Sequence, residues 1–462
     1  MKRSLTLLIV LTLILTAAFA SAEGVQKAYY NSDYAYLQDE DSVYVSLTLE
    51  EAYYLFAQEG NYLILLGGSW CGNTTPVIGY IDEVAKEYGV ETIYNLDFRL
   101  DGANRASHVR ETEGAQSQGA AIPGSNYNYL YGELASRFLT NLNDYVEYKV
   151  DTESAVVYTD PTGEKVTVPK VQVPFLFLYN KDNTDESGNA APIVAGLELM
   201  KVRGDFVTDD IENTAAVNEY KQLLRDTVFE AASKAELSSF TDADYIRLSY
   251  NEKSGRELFA PDEEIALEVL TYKQLKWLLD QDGTHILFLG GSWCPNTQAV
   301  VKIVNDYALA NGVTVYTFDT KLDGGYARRF WGYEKDLHIR DNNSEFANLY
   351  VDLVLDYFHN IETKYTLESG NTIHYENADG ETLTANKLQV PYLLVYTKGL
   401  EDDYAHFVPI SAYIEKMLTL DETREDYVYA EENYKAYTDG VFAVFEAWAD
   451  LTGGSAVQIA EQ

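Results

Sequence analysis

Cysteine is nearly absent: the chain of 462 residues holds two, Cys71 and Cys294. That excludes a disulfide framework and leaves either one bridge or two separate thiols. Basic residues are also scarce. Lys and Arg number 34 against 73 Asp and Glu, a formal net charge of −39, which argues against nucleic acid and anionic membrane surfaces as partners. The acids are scattered rather than blocked, as on a solvated surface. The six histidines, His108, His285, His338, His359, His374 and His406, show no metal-ligand spacing. None is placed to serve a cysteine as a protease base, and His285 enters a strand pattern, where it reads as packing. The acidic run Asp182-Asn183-Thr184-Asp185-Glu186 lacks the spacing of a calcium loop. No phosphate-binding glycine loop occurs, so neither a metal nor a cofactor is expected.

Long apolar runs are missing too, apart from residues 5–20, which follow Met1-Lys2-Arg3 and precede Ala20-Ser21-Ala22. A basic start, an apolar stretch and a small-residue site read as a secretory signal peptide. Cleavage after Ala22 leaves an exported chain starting at Glu23. No other run approaches the roughly 20 residues of a membrane span, so no stable membrane insertion of the mature chain is expected.

What the chain does have is a hydrophobic fraction of 46% and 38 tyrosines, enough for two or three domains with full cores. It also has an internal repeat. Gly67-Gly68-Ser69-Trp70-Cys71-Gly72-Asn73-Thr74 returns as Gly290-Gly291-Ser292-Trp293-Cys294-Pro295-Asn296-Thr297, an offset of 223. At that offset Thr48, Gly60 and Gly89 meet Thr271, Gly283 and Gly312. Leu100-Asp101-Gly102 matches Leu322-Asp323-Gly324, and Gln172-Val173-Pro174-Phe175 matches Gln389-Val390-Pro391-Tyr392. The domains read as 23–238 and 239–462.

Within each copy, periodicity predicts a helix first (49–58; 272–280), then an apolar strand (62–66; 286–289). The cysteine turn follows, with its helix (75–88 in the first copy) and a second strand (92–98; 314–319). A further helix (129–142; 349–361) precedes a hairpin across Asp160-Pro161-Thr162-Gly163, or Asn377-Ala378-Asp379-Gly380. Val-Pro then opens an apolar strand (175–179; 392–396), and a helix closes the copy (217–235; 433–449). This alternation implies a mixed sheet covered by helices.

Each copy resembles a thioredoxin-fold domain. The residues carrying the resemblance are Trp70-Cys71 and Val173-Pro174, then Trp293-Cys294 and Val390-Pro391, in the right order and repeated. The resemblance implies an α/β fold of two tandem thioredoxin-like domains, with the cysteine at a helix start and a cis peptide bond before Pro174 and Pro391. The stretch between cysteine and proline is longer than in compact members, and the extra helix and hairpin fill it. Two departures matter. The dithiol motif's second cysteine is replaced by Thr74 and Thr297, and the buried acid six residues before the first cysteine by Leu65 and Phe288. Dithiol chemistry within one motif is therefore not available. A peroxiredoxin-type site is also disfavoured, since Gly68 and Gly291 stand where it needs Thr or Ser.

A helix N-terminus favours a thiolate, and Thr74 or Thr297, one turn on, is placed to donate to the sulfur. Cys71 and Cys294 thus read either as monothiol nucleophiles or as inert buried thiols. Arg99 and Lys321 follow a strand expected to run parallel to the cysteine strand. They either help hold a thiolate at the strands' carboxyl ends or pair with the adjacent Asp101 and Asp323. The functional expectation is thiol–disulfide exchange (isomerase, reductase or client capture), with cysteine-containing client proteins or small thiols as partners. The alternative is a redox-inactive binding or scaffold protein.

Overall fold

The computed structural model describes residues 25–37, 39, 41–100, 109–110, 116–117, 120–121, 127–209, 211–364, 371–416, 418 and 431–459. The expected leader and cleavage site at Ala22, and Asp101, Gly102 and His108, lie outside them. The chain forms two compact units. The first spans Val25–Phe240 and takes in Tyr326–Lys335; the second comprises Thr241–Gly325 and Asp336–Gln462.

In the first unit five strands form one sheet: β1 (Tyr44–Leu47), β2 (Tyr62–Leu66), β3 (Ile93–Leu96), β4 (Phe175–Tyr179) and β5 (Ile193–Glu198), in the order β1-β3-β2-β4-β5. β1, β3 and β2 run parallel, β4 runs antiparallel to β2, and β5 antiparallel to β4. The second unit repeats this with β6 (Leu267–Val269), β7 (Thr284–Leu289), β8 (Val315–Phe318), β9 (Tyr392–Thr397) and β10 (Ile410–Ile414), ordered β6-β8-β7-β9-β10. Each unit is a helix-flanked mixed sheet with the thioredoxin-like strand pattern. β2 and β4 are buried at every residue. Covered on both faces, they read as unbroken apolar runs rather than alternating ones.

Several elements differ from the sequence reading, among them the helix Asp242–Ser254, which it did not include. The first predicted helix is preceded by a strand, β1 or β6, too short to stand out. The edge strands β5 and β10 were not anticipated, although Ile193-Val194-Ala195-Gly196-Leu197 is an apolar run; of β5 only Ile193 is buried. The helix after β1 starts as written: Thr48 caps it and Glu51 returns the bond, a capping box repeated by Thr271 and Gln274. The extra helix (Asn128–Phe138; Ala347–Tyr357) and the hairpin (Val156–Thr159 with Lys165–Val168; Thr372–Glu376 with Thr382–Asn386) both form. The first unit's last helix is interrupted by a π turn at Arg225–Phe229.

The segment Tyr326–Lys335, from the second repeat's sequence, is part of the first unit. Trp331 meets Tyr53 edge-on at 4.7 Å between ring centroids. Tyr333 stacks on Tyr129 at 4.0 Å and donates its phenol proton to Glu133 Oε1 at 2.7 Å.

Candidate functional site

β2 ends at Leu66 and β7 at Leu289, and the paired glycines that follow exist for close approach. A Cβ on Gly68 would strike the Asp97 carboxylate and the Trp70 indole nitrogen; one on Gly291 would strike Asp319 and Trp293. These side chains are bonded to each other. Trp70 Nε1 donates to Asp97 at 2.7 and 3.0 Å, and Trp293 Nε1 to Asp319 at 2.8 and 3.0 Å. The same aspartates accept the backbone N–H of Arg99 and Lys321, each at 2.8 Å. Burial pushes the Asp319 carboxyl up, against the pull of its bonds from Trp293 and the Lys321 backbone and of the field of Lys253 and Lys321.

Lys321 pairs neither with the adjacent Asp323 nor with the sulfur, while the Asp101 expected beside Arg99 lies outside the described residues. The Arg99 guanidinium lies 3.8 Å from the centroid of Trp70, and Lys321 Nζ 4.0 Å from that of Trp293, each a cation over the indole beside the cysteine. Lys321 pairs with Asp336 at 2.6 Å. Asp323 is fully buried instead and accepts from Gly325 N and Leu337 N at 3.2 and 3.1 Å; burial, then Asp336, push it up to about 6.

Cys71 and Cys294 are free thiols, 8% and 5% exposed, so no bridge joins them. Cys294 caps a short helix, Pro295–Gln298, ahead of the longer Val301–Asn311. Cys71 is followed by turns, and its helix starts only at Ile78. The difference is in the prolines. Ala299 N donates to Pro295 O at 3.0 Å; its counterpart Pro76 has no N–H to give, while Pro295 at the first helical position costs nothing. A cysteine at a helix start thus holds for the second site, and only for a turn at the first.

The thiols point at the proline loops. Cys71 Sγ lies 3.4 Å from the Val173 carbonyl oxygen, and Cys294 Sγ 3.8 Å from that of Val390. The Val173-Pro174 and Val390-Pro391 bonds are cis, as the resemblance implied. The sequence reading missed the residues that hold these loops. Arg110 Nη1 donates to Val171 O at 2.5 Å, and Arg340 Nη1 to Leu388 O at 2.6 Å. Tyr131 and Tyr350 each accept from the loop (Val171 N, 2.9 Å; Leu388 N, 2.8 Å) and donate to it (Pro169 O and Asn386 O, both 2.6 Å). Glu198 and Glu415 take the N–H of Gln172 and Gln389 at 2.6 Å. The signal was in the repeat, which sets Asp97 on Asp319 and Tyr131 on Tyr350.

Thr74 and Thr297 do not serve the sulfur. Both are fully buried, their hydroxyls have no hydrogen bond, and their side chains face Gly67 and Gly290. Since an unbonded buried hydroxyl is destabilising, Thr297→Val, of the same shape, should raise the stability of the second unit by about 1 kcal/mol. Urea denaturation measures this; a loss of stability would mean the hydroxyl has a partner after all.

His338 lies edge-on to Trp293 at 5.7 Å, and burial, then Arg340 and Lys321, push it down to about 2. Among the described residues no cluster of three His, Cys, Asp or Glu is placed to hold a metal, and no helix is long and apolar enough to cross a membrane.

No protein-family profile matches the chain, and no curated protein matches it. Two solved structures are similar to it over most of its length. The crystal structure of ERdj5 in form I shows 9% identity with a TM-score of 0.18, over 87% of this chain and 29% of that one. Form II shows 8% and 0.17, over 89% and 29%. The chain thus spans less than a third of the length of those proteins.

Proposed function

We propose that this is an exported protein with two monothiol sites for thiol–disulfide exchange, acting on cysteine-containing client proteins or small thiols. The observation that carries the reading is the position of each free sulfur against the carbonyl before a cis-proline, 3.4 Å away in one unit and 3.8 Å in the other. Both have the Trp–Asp pair and a cation at the tryptophan face beside them. The thiolate of Cys71 or Cys294 attacks one sulfur of a client disulfide. A new S–S bond forms, the old one breaks, and the departing sulfur leaves as a thiolate. With threonine three residues on, no thiol of the same motif attacks the mixed disulfide, so release needs an outside thiol. Export rests on the leader pattern.

The expected outcome with a model disulfide is that the chain stops as a mixed disulfide, seen by intact mass, and that a small thiol releases it. A second reading, a redox-inactive binding or scaffold protein, is favoured by the thiols' burial and their contact with a carbonyl. It takes over if both cysteines resist iodoacetamide at every pH until the chain unfolds.

A further inference from the structure

The two sites are not chemically equal. Lys253, on the helix Asp242–Ser254, is 3% exposed. Its Nζ donates to Ser292 Oγ and to the Gly324 carbonyl oxygen, both at 2.9 Å. Ser292 stands two residues before Cys294, and its own carbonyl accepts from Gln298 Nε2 at 2.6 Å. Gly324 belongs to the loop that carries Lys321, and Asp319 lies in the field of both lysines. One buried ammonium therefore joins the cysteine turn to the loop after β8, beside the carboxylate that holds Trp293.

The first unit fills the matching place with phenols. The repeat offset sets Tyr30 opposite Lys253. Tyr30 is fully buried, donates to Asn95 Oδ1 at 2.9 Å and stacks on Tyr34 at 5.5 Å between centroids. Tyr29, Tyr30 and Tyr34 all lie in the field of Asp97. Beyond the cation at each tryptophan face, the second unit sets a further positive charge, Lys253, where the first has the Tyr30 ring.

We propose that Lys253 is a positioning residue that fixes the Cys294 turn and sets a positive charge beside it, making Cys294 the faster-reacting of the two thiols. The chain then has one fast and one slow site rather than two copies of one. The inference deepens the exchange reading and rests on it only for what the fast thiol is used for.

The charged and titratable groups facing this site are Lys253 from its helix, Asp319, Lys321 and Asp323 from the strand end and loop, and Asp336 and His338 from the returning segment. His338, pushed down to about 2, is neutral in the working range. Asp323, pushed up to about 6, has lost its proton above neutrality. Neither group changes its charge between roughly pH 7.5 and 9.5, so a rate difference between the two thiols in that window does not come from them.

The test is alkylation of the intact chain by iodoacetamide, with both cysteine peptides quantified by mass spectrometry. Each thiolate forms an S–C bond, the C–I bond breaks, and iodide leaves with its electron pair. In the unaltered protein Cys294 should outpace Cys71 at pH 7.5, the two converging by pH 9.5. Lys253→Met should slow Cys294 about tenfold at pH 7.5, the scale of a nearby charge, and leave Cys71 unchanged; Lys253→Arg should keep most of the rate. Equal rates in the unaltered protein overturn the proposal whether or not the variant folds. So does an unchanged rate ratio in a folded Lys253→Met chain. Alkylation needs no disulfide, so a chain that passes here but never forms a mixed disulfide refutes the exchange reading alone.

Discussion

Replacing Gly291 with alanine should unfold the second unit about 2–4 kcal/mol more easily, and Gly68→Ala should do the same to the first. The new methyl lands on the Asp319 carboxylate and the Trp293 indole nitrogen. Neither is free to swing away, because they are bonded to each other and the carboxylate also holds the Lys321 backbone. Accommodation means breaking that bond and leaving a buried acid short of a partner, the costly outcome for any buried polar group. For a unit of this size the transition midpoint should fall by roughly 5–12 °C. The control is Gly72→Ala: no atom lies within 4 Å of its added Cβ, so the change should be small. Thermal unfolding followed by circular dichroism decides it. If Gly68→Ala and Gly72→Ala behave alike, close packing of Trp and Asp over the glycine is not what the repeated Gly-Gly is for.

The second large effect is a gain. Glu268 lies on β6, 5% exposed, with neither carboxylate oxygen hydrogen-bonded. It pairs across the sheet with Tyr316, so both share a face, and its electrostatic neighbour is another acid, Asp242. Burial, then Asp242, hold the Glu268 carboxyl well above the usual range; burial also pushes Asp242 up to about 6. The folded unit thus keeps a proton that the unfolded chain releases near pH 4.3. With more protons bound in the folded state, stability falls as pH rises from about 4.3 toward the raised folded value. Glu268→Gln removes that loss. It should stabilise the second unit by about 2 kcal/mol at pH 8 and by almost nothing at pH 4. A shallower slope remains in the variant below about pH 6, because Asp242 still titrates. Urea midpoints at the two pH values measure the difference; a variant equally or less stable at pH 8 would show that the Glu268 charge has a partner.

Much of this architecture was legible because it is written twice. The cysteine turn, the Val-Pro loop and the hairpins are local patterns, and their recurrence separated them from chance. What stayed hidden depends on pairs far apart in sequence. Trp70 and Asp97 are separated by a strand and a helix, and nothing in either segment announces the partner. Lys253 reads as one more surface lysine on a polar helix until the fold brings it to Ser292. The Thr74 and Thr297 hydroxyls were misplaced for the opposite reason: helical spacing set them near the sulfur, but both side chains turn inward against Gly67 and Gly290.

The segment Tyr326–Lys335 has a consequence for how the protein is taken apart. By sequence the chain is a tandem duplication that a single cut after Ser238 would separate. By contacts it is not, since the polypeptide passes from one unit to the other three times, at 240–241, 325–326 and 335–336. A first half made by that cut would lack the Trp331 ring against Tyr53 and the Tyr333 phenol on Glu133, leaving a buried carboxylate and apolar rings uncovered. The halves are inherited as modules but are no longer interchangeable parts. A shuffled or truncated version has to carry its ten-residue graft along.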